Sequence, residues 1–463
     1  MSRSPQQLTL AGALRAARET KALEIGEGIL DKTPQVFRAQ FGQQPAVLVA
    51  DENTFAAAGQ KVLEAFRAAR HPLLEPFIFR DPALYAEYRF IEQLEAALKQ
   101  HAAIPVAVGS GTINDLTKLS SHNAHRPYLC VATAASMDGY TAFGASITYQ
   151  GAKQTFTCPA PAAAVADLNV ISAAPGLMNS WGYADLLAKV TAGADWIVAD
   201  ALGVEPIDAQ AWAIVQGRLR ELVAEPAGVP SRNPAAIGRL VEGLMLGGFA
   251  MQSAKSSRPA SGAEHQFSHL WDMQHHTHYG KAPSHGFKVA LGTLATTTLF
   301  EFMLDQPLDR VDVDACCAAW PDADAWCRRA RVLLGDGDLV AVAEKELRAK
   351  HSPPEQLRGQ LERLRANWPD LRQKLRAQLL PLATLQQMLR DAGAPTESEQ
   401  IGITRERLRQ SYWQAFCIRR RFTVLDLAVR TGLLDPCLDQ IFGPNGVWPT
   451  EAVKPTRAAP QLQ

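Results

Sequence analysis

Neither sign of charge is in excess. Lysine plus arginine and aspartate plus glutamate both number 47, so the formal net charge is zero. That balance removes the electrostatic footprint of a nucleic-acid binder, and no acidic tail stands out. CxxC pairs are also missing. The seven cysteines (130, 158, 316, 317, 327, 417 and 437) are scattered and odd in number, which argues against a disulfide framework and a thiolate zinc site. No run approaches the ~20 apolar residues a membrane span needs. Near the N-terminus LTLAGALRAARE is interrupted by Arg15 and Arg18, so it reads as an amphipathic helix rather than a signal sequence. Low-complexity tracts and internal repeats are lacking too. The expectation is a cytoplasmic protein.

What is there is ordinary globular material: 463 residues, 47% hydrophobic and 20% charged, enough for two or three domains. Up to about residue 175 short apolar runs alternate with helical patterns. AVLVA (46–50), EPFIF (75–79), IPVAV (104–108) and YLCVATA (128–134) read as buried strands, with helices over 54–69 and 86–101 between them. Such alternation predicts an α/β domain with a parallel sheet, which places ligands at the carboxyl ends of its strands. From Pro175 onward long helical patterns dominate, broken at PAGVPSRNP (226–234) and GDGD (335–338). The expected organisation is an α/β dinucleotide-binding domain (1–175), then an all-helical domain (176–463), with a cleft between them. The charged, amphipathic stretch from Ser352 to Leu379 reads as a solvated helical hairpin.

Three places carry candidate chemistry. VAVGSGTINDLTKL follows a buried strand with Gly109, Ser110, Gly111, Thr112 and Ile113 and leads into a helix. Glycines permit close approach, and a helix N-terminus offers free N–H groups to a pyrophosphate. Asn114 stands where the usual third glycine would be, so an ordinary strand-to-helix turn fits as well. The strand AVLVA ends in Asp51, whose carboxylate could accept bonds from an adenosine ribose and favour NAD over NADP or simply cap the next helix. TAASMDGY (133–140) brings small residues and Asp138 to the end of the fourth strand, where a plain Asp-Gly turn is the alternative.

A fourth place is SGAEHQFSHLWDMQHHTHYGKAPSHG, which holds six of the eleven histidines. Ser261 and Glu264 have the form of a capping box, so a helix is expected to begin at Ser261. His265 and His269 then share one face, and His285 opens the next helix. Asp185 in GYADLLAKV would complete an Asp-His-His set with an open position, suited to a catalytic divalent metal; it could equally form an i,i+4 surface pair with Lys189. His275, His276 and His278 read as loop residues beyond the helix, either solvated or at an interface.

Together GSGTINDLTK, TAASMDGY, GYADLLAK, SGAEHQFSHLW, SHGFKVALGTL and the C-terminal IGI…SYWQAFCIRRRFTVLDLA resemble, in order and over nearly the whole chain, the bacterial AraM-like sn-glycerol-1-phosphate dehydrogenases of the dehydroquinate synthase and iron-containing alcohol dehydrogenase superfamily. The resemblance implies two domains, with a nicotinamide cofactor, NAD(H) or NADP(H), meeting a divalent metal in the cleft. The metal would be nickel or zinc, with iron also compatible with the ligand set. Carried over, Asp185, His265 and His285 become metal ligands. Gly109–Ile113, Thr133, Ser136 and Asp51 become cofactor contacts, and Asp138 and His269, with Asp185, line the substrate. A small hydroxyl residue common four positions after the aspartate of SMDG is Ala142 here, which cannot make that cofactor hydrogen bond. The implied reaction is reduction of dihydroxyacetone phosphate to sn-glycerol 1-phosphate, a step of phospholipid metabolism. A homodimer or larger homo-oligomer is implied as well. A polyol dehydrogenase acting on unphosphorylated glycerol, a dehydroquinate-synthase-like lyase that retains NAD, and a non-catalytic binding protein are the competing readings.

Overall fold

The computed structural model describes residues 8–150 and 152–450. Their contacts cluster into two compact units. The first holds the chain as far as Leu187, with Asp208–Ala260 and Asp391–Gly393. The second holds Ala188–Ile207, Ser261–Arg390 and the chain from Ala394 on.

In the first unit every predicted strand is present, and four more join them: β1 (Ala22–Gly26), β2 (Ala46–Asp51), β3 (Phe77–Phe79), β4 (Ile104–Gly109), β5 (Leu129–Ala132), the hairpin β6 (Ala145–Tyr149) and β7 (Ala152–Phe156), and β8 (Ala163–Asp167). Six of them form one parallel sheet in the order β1-β8-β5-β4-β2-β3. The helices α1 (Thr33–Phe41), α2 (Gln60–Ala68), α3 (Tyr88–Leu98) and α4 (Gly111–Asn123) fall between the strands. Both faces of a parallel sheet are covered by its crossover helices, so its strands are near-continuous apolar runs. On one face Leu48, Ala50, Val106, Val108 and Val131 pack against Phe37 of α1 and Val62 and Phe66 of α2. The sheet's strands end before Pro175. Beyond it, α5 (Gly176–Leu187) and α7 (Pro234–Ala254) cluster with the sheet, whereas α6 (Lys189–Ala201) begins the second unit.

The described part of the second unit contains no named strand. It is built from α6, α8 (Ala263–Met273), α9 (His285–Leu304), α10 (Pro354–Gln378), α11 (Arg405–Cys417), α12 (Val424–Arg430) and further helices. By length and composition α9 alone among the described helices could cross a membrane, but 83% of its most apolar window is buried inside the protein. The predicted hairpin at 352–379 is instead a single 25-residue helix that runs through Pro369. Its buried stripe of Leu357, Leu361, Leu364, Trp368, Leu371 and Leu375 keeps helical period across the proline. One face is therefore packed, not solvated, and that packing outweighs the hydrogen bond the proline removes.

Candidate active site

Neighbouring strands β2, β4 and β5 bring the predicted cofactor residues to one edge of the sheet. At the end of β4, a Cβ on Gly109 would fall 2.4 Å from the Ile113 Cβ, so the turn into α4 demands glycine. Ser110 is the N-cap of α4, yet its side chain makes no capping bond. First-turn N–H groups are thus left to be met by something else, and an anion at Gly111–Ile113 is chemically suited to them. The Thr133 N–H donates to the Gly109 carbonyl (3.1 Å), tying the ends of β5 and β4 together. At the end of β2, Asp51 Oδ1 accepts the Thr54 N–H at 2.8 Å in a reciprocal capping box. The capping alternative thus describes at least one of its oxygens.

The loop after β5 is held by side chains that reach its backbone. Lys118, fully buried on α4, donates through Nζ to the carbonyls of Gly139, Ala142 and Gly144 at 2.9, 2.9 and 3.0 Å. Asp115, one turn earlier, lies 3.6 Å from that ammonium and accepts the Ser146 N–H; burial raises its pKa, while Lys118 pulls the other way. Asn114, in the place of the third glycine, bridges the Tyr128 hydroxyl to the Gly139 carbonyl. From α7, Gln252 Nε2 donates to the Thr141 carbonyl, and Thr141 Oγ1 donates to the Met245 carbonyl. A Cβ on Gly248 would meet Thr141 Oγ1 at 2.1 Å. Ala142 is buried in this same loop. Ser136 Oγ lies 3.1 Å from the Tyr140 hydroxyl.

Helix α5 lies hard against the start of that loop. A Cβ on Gly182 would overlap the Ala135 carbonyl oxygen at 1.9 Å, so glycine permits the approach. Asn179, one turn earlier, accepts the Ala135 N–H and donates to the Ile171 carbonyl. One turn after Gly182 comes Asp185, fully buried, whose Oδ2 accepts the Asp138 N–H at 3.0 Å. Lys189 is fully buried too, so the pair is not the surface ion pair that its spacing allowed.

In the second unit α8 begins at Ala263, with Gly262 as its cap. The predicted Ser261 capping box is absent, because Asp195 Oδ2 on α6 accepts the Ala263 N–H at 2.7 Å. Glu264 bends back to take the Gly262 N–H and also accepts from His265 Nδ1 at 2.8 Å. Burial raises the Glu264 pKa, but the His265 and Gly262 bonds overcome it and hold the carboxyl below its ordinary value. Gly292 on α9 carries no Cβ to strike the Glu264 carbonyl, which would be 2.2 Å away. The two helices therefore meet closely. His285 Nδ1 lies 3.2 Å from Ser268 Oγ on α8. Ring centroids are 5.3 Å apart for His265 and His285, 6.3 Å for His265 and His269, and 6.2 Å for His269 and His285. His265 and His285, both in the second unit, each offer a ring nitrogen that could hold a metal ion. Two imidazoles, one ring braced by a carboxylate on its other nitrogen, suit a divalent cation in donor type and support.

The remaining histidines diverge. His275 is exposed. His276, expected in solvent or at an interface, is buried: its Nε2 lies 2.7 Å from the Ile401 carbonyl, and its Nδ1 2.7 Å from Arg407 Nη1 on α11. Burial lowers its pKa, and Arg407 adds to that. His278, half-buried, stacks on Tyr279 with centroids 4.1 Å apart. Sequence reasoning passed over Lys118, Asn179 and Glu264 as supports. The signals present were the Asp115–Lys118 spacing and an acid directly before His265.

Residues 24–175 match the family model described as iron-containing alcohol dehydrogenase. The crystal structure of a probable glycerol dehydrogenase from Sinorhizobium meliloti superposes with a TM-score of 0.59 at 15% identity, over 91% of this chain and 98% of that one. The family model thus covers the sheet-bearing part of the first unit, and the superposition shows the same fold. The glycerol-1-phosphate dehydrogenase, NAD(P)+, of Halalkalibacterium halodurans is 33% identical over 286 residues, 61% of this chain and 71% of that protein. Its counterpart from Geobacillus stearothermophilus is 28% identical over 383 residues, 82% of this chain and 85% of the relative. The chain belongs to the glycerol-1-phosphate dehydrogenase family.

Proposed function

We propose that the protein reduces dihydroxyacetone phosphate to sn-glycerol 1-phosphate with NADH or NADPH. The observation that carries this reading is the pair of His265 and His285 imidazoles, with ring centroids 5.3 Å apart, in a chain of this family. Bound, the nicotinamide supplies the hydride, and a divalent cation, nickel or zinc, supplies Lewis-acid polarisation of the ketone oxygen. The chain's own residues do the positioning. Asp185, His265 and His285 hold the cation, and Glu264 fixes the His265 ring. The Gly109–Ile113 turn receives the cofactor pyrophosphate, Thr133 and Ser136 approach the cofactor, and Asp51 favours an unphosphorylated adenosine ribose. Asp138 and His269 contact substrate. His269 is the titratable ring beside the pair that can hand the reduced oxygen its proton. Seven free thiols suit a reducing compartment, so the reading places the enzyme in the cytoplasm, as a homodimer or larger homo-oligomer.

The test is steady-state NADH oxidation by the metal-loaded protein with dihydroxyacetone phosphate and, separately, unphosphorylated dihydroxyacetone. The reading expects kcat/KM for the phosphorylated ketone to lead by at least about a hundredfold. Equal rates, or faster turnover of the unphosphorylated ketone, would overturn it in favour of a polyol dehydrogenase.

A further inference from the structure

We propose that a tryptophan-walled cavity in the second unit binds a small organic monoanion with a flat apolar body, of the aromatic carboxylate class. The cavity measures about 340 Å³, within the roughly 300–1,000 Å³ of small-molecule sites. None of the residues assigned above to metal, cofactor or substrate lines it.

Its walls are aromatic. Trp320, Trp326 and Trp413, three of the chain's nine tryptophans, line it. Trp320 and Trp326 have centroids 5.4 Å apart at 60°, and Trp326 and Trp413 are 6.2 Å apart at 34°. Such faces receive a planar ring at low entropic cost. At the rim the Arg329 guanidinium stacks 3.6 Å over Trp413 and lies 3.8 Å from Asp435, which also accepts the Trp413 indole N–H. The rim charges thus offset each other.

The interior does not balance. Arg430 lines the cavity and is only 4% exposed. Asp426 is the carboxylate that opposes its charge, but Asp426 is already paired with the buried Lys350 Nζ at 3.2 Å. Arg430 Nη1 donates to the neutral amide oxygen of Gln360, and its guanidinium lies 4.9 and 5.5 Å from the Phe422 and Trp320 ring centroids, contacts that carry no negative charge of their own. Two buried cations share one carboxylate, and an uncompensated buried charge is costly. Two buried N–H donors of cavity-lining residues, Arg430 Nε and Trp326 Nε1, also find no acceptor among the described residues. Buried donors are ordinarily satisfied. An anionic acceptor seated against Arg430, with its ring on the tryptophans, answers the surplus charge, the orphaned donors and the aromatic walls together.

The test is calorimetric titration of the full-length, metal-loaded protein with benzoate, and with benzamide as the neutral partner of the same size. Cys316→Phe fills the cavity from its half-buried side, and Arg430→Met removes the charge at similar volume; melting curves establish that each variant folds. The proposal expects saturable binding of one benzoate per chain at millimolar concentration and benzamide weaker by about tenfold or more. Binding should be lost in C316F and weakened by about tenfold or more in R430M. If R430M does not fold, the C316F and benzamide results decide. Absence of saturable benzoate binding overturns the proposal, as does equal binding of benzamide or unchanged binding in C316F. So does a shift of the protein to monomers in C316F with no benzoate effect, which would make the cavity a contact between copies of the chain.

Discussion

The loop from Thr133 to Ser146 in the first unit and the histidine segment from Ser261 to Gly286 in the second are both held by buried polar groups, but different things are held. In the loop, side chains grip backbone. Lys118, Asn114, Asp115 and Gln252 reach carbonyls and N–H groups, so the path of the chain is fixed whatever side chains it carries. In the histidine segment, side chains grip side chains. Glu264 holds one imidazole and Ser268 another, so what is fixed is ring orientation and which nitrogen is left for a ligand. A cofactor surface needs a shaped main chain, whereas a cation site needs aimed lone pairs.

Removing what the rings aim at should have the largest effect. Exhaustive chelation is expected to lower NADH oxidation by about a thousandfold or more, with recovery on return of nickel or zinc; full activity in a verified metal-free sample would refute the metal reading. Lys118→Met attacks the other region. It strands three carbonyls and leaves Asp115 unpaired in the interior, and should cost about 3–5 kcal/mol, read as a lower urea midpoint. Metal content of the folded variant should stay at wild-type level. If metal is lost with stability intact, the loop is not what Lys118 supports. Glu264→Gln separates the two kinds of support from the opposite side, and should weaken metal affinity by about 10- to 100-fold in a competition titration while the fold persists. Asp51→Ala is expected to have the mildest consequence. Loss of its helix cap should cost about 1 kcal/mol, and the NADH-to-NADPH ratio of kcat/KM should fall. An unchanged ratio would make Asp51 a cap and nothing more.

The sheet was legible because parallel strands buried on both faces are written as apolar runs, as in AVLVA and IPVAV. The strands β1 and β8, ALEIG and AAVAD, are only five residues each, the first carrying Glu24 at its centre and the second mostly alanine, and do not stand out from helical background. The stretch from Ser352 to Leu379 read as a solvated hairpin because its charges dominate, whereas the leucine stripe that buries one face is a property of the whole 25-residue helix. Among candidate site residues, adjacency in sequence told most. His265 and His269 share a face by spacing alone. Partners distant in sequence were invisible: Asp195 replaces Ser261 at the start of α8, and Ile401 and Arg407 bury His276. A lysine such as Lys118 reads as solvated on any amphipathic helix. Only the loop carbonyls that surround it reveal that it is a buried strut.

The central claim is that two of three neighbouring imidazoles, with Asp185, hold a metal, and that the third serves substrate. Elemental analysis beside steady-state kinetics for wild type, His265→Ala, His269→Ala and His285→Ala tests it most directly. One divalent metal per chain is expected in wild type, lost together with turnover in H265A and H285A. H269A should keep the metal while kcat/KM falls by about a hundredfold or more. Loss of metal from H269A with retention in H285A would contradict the assignment.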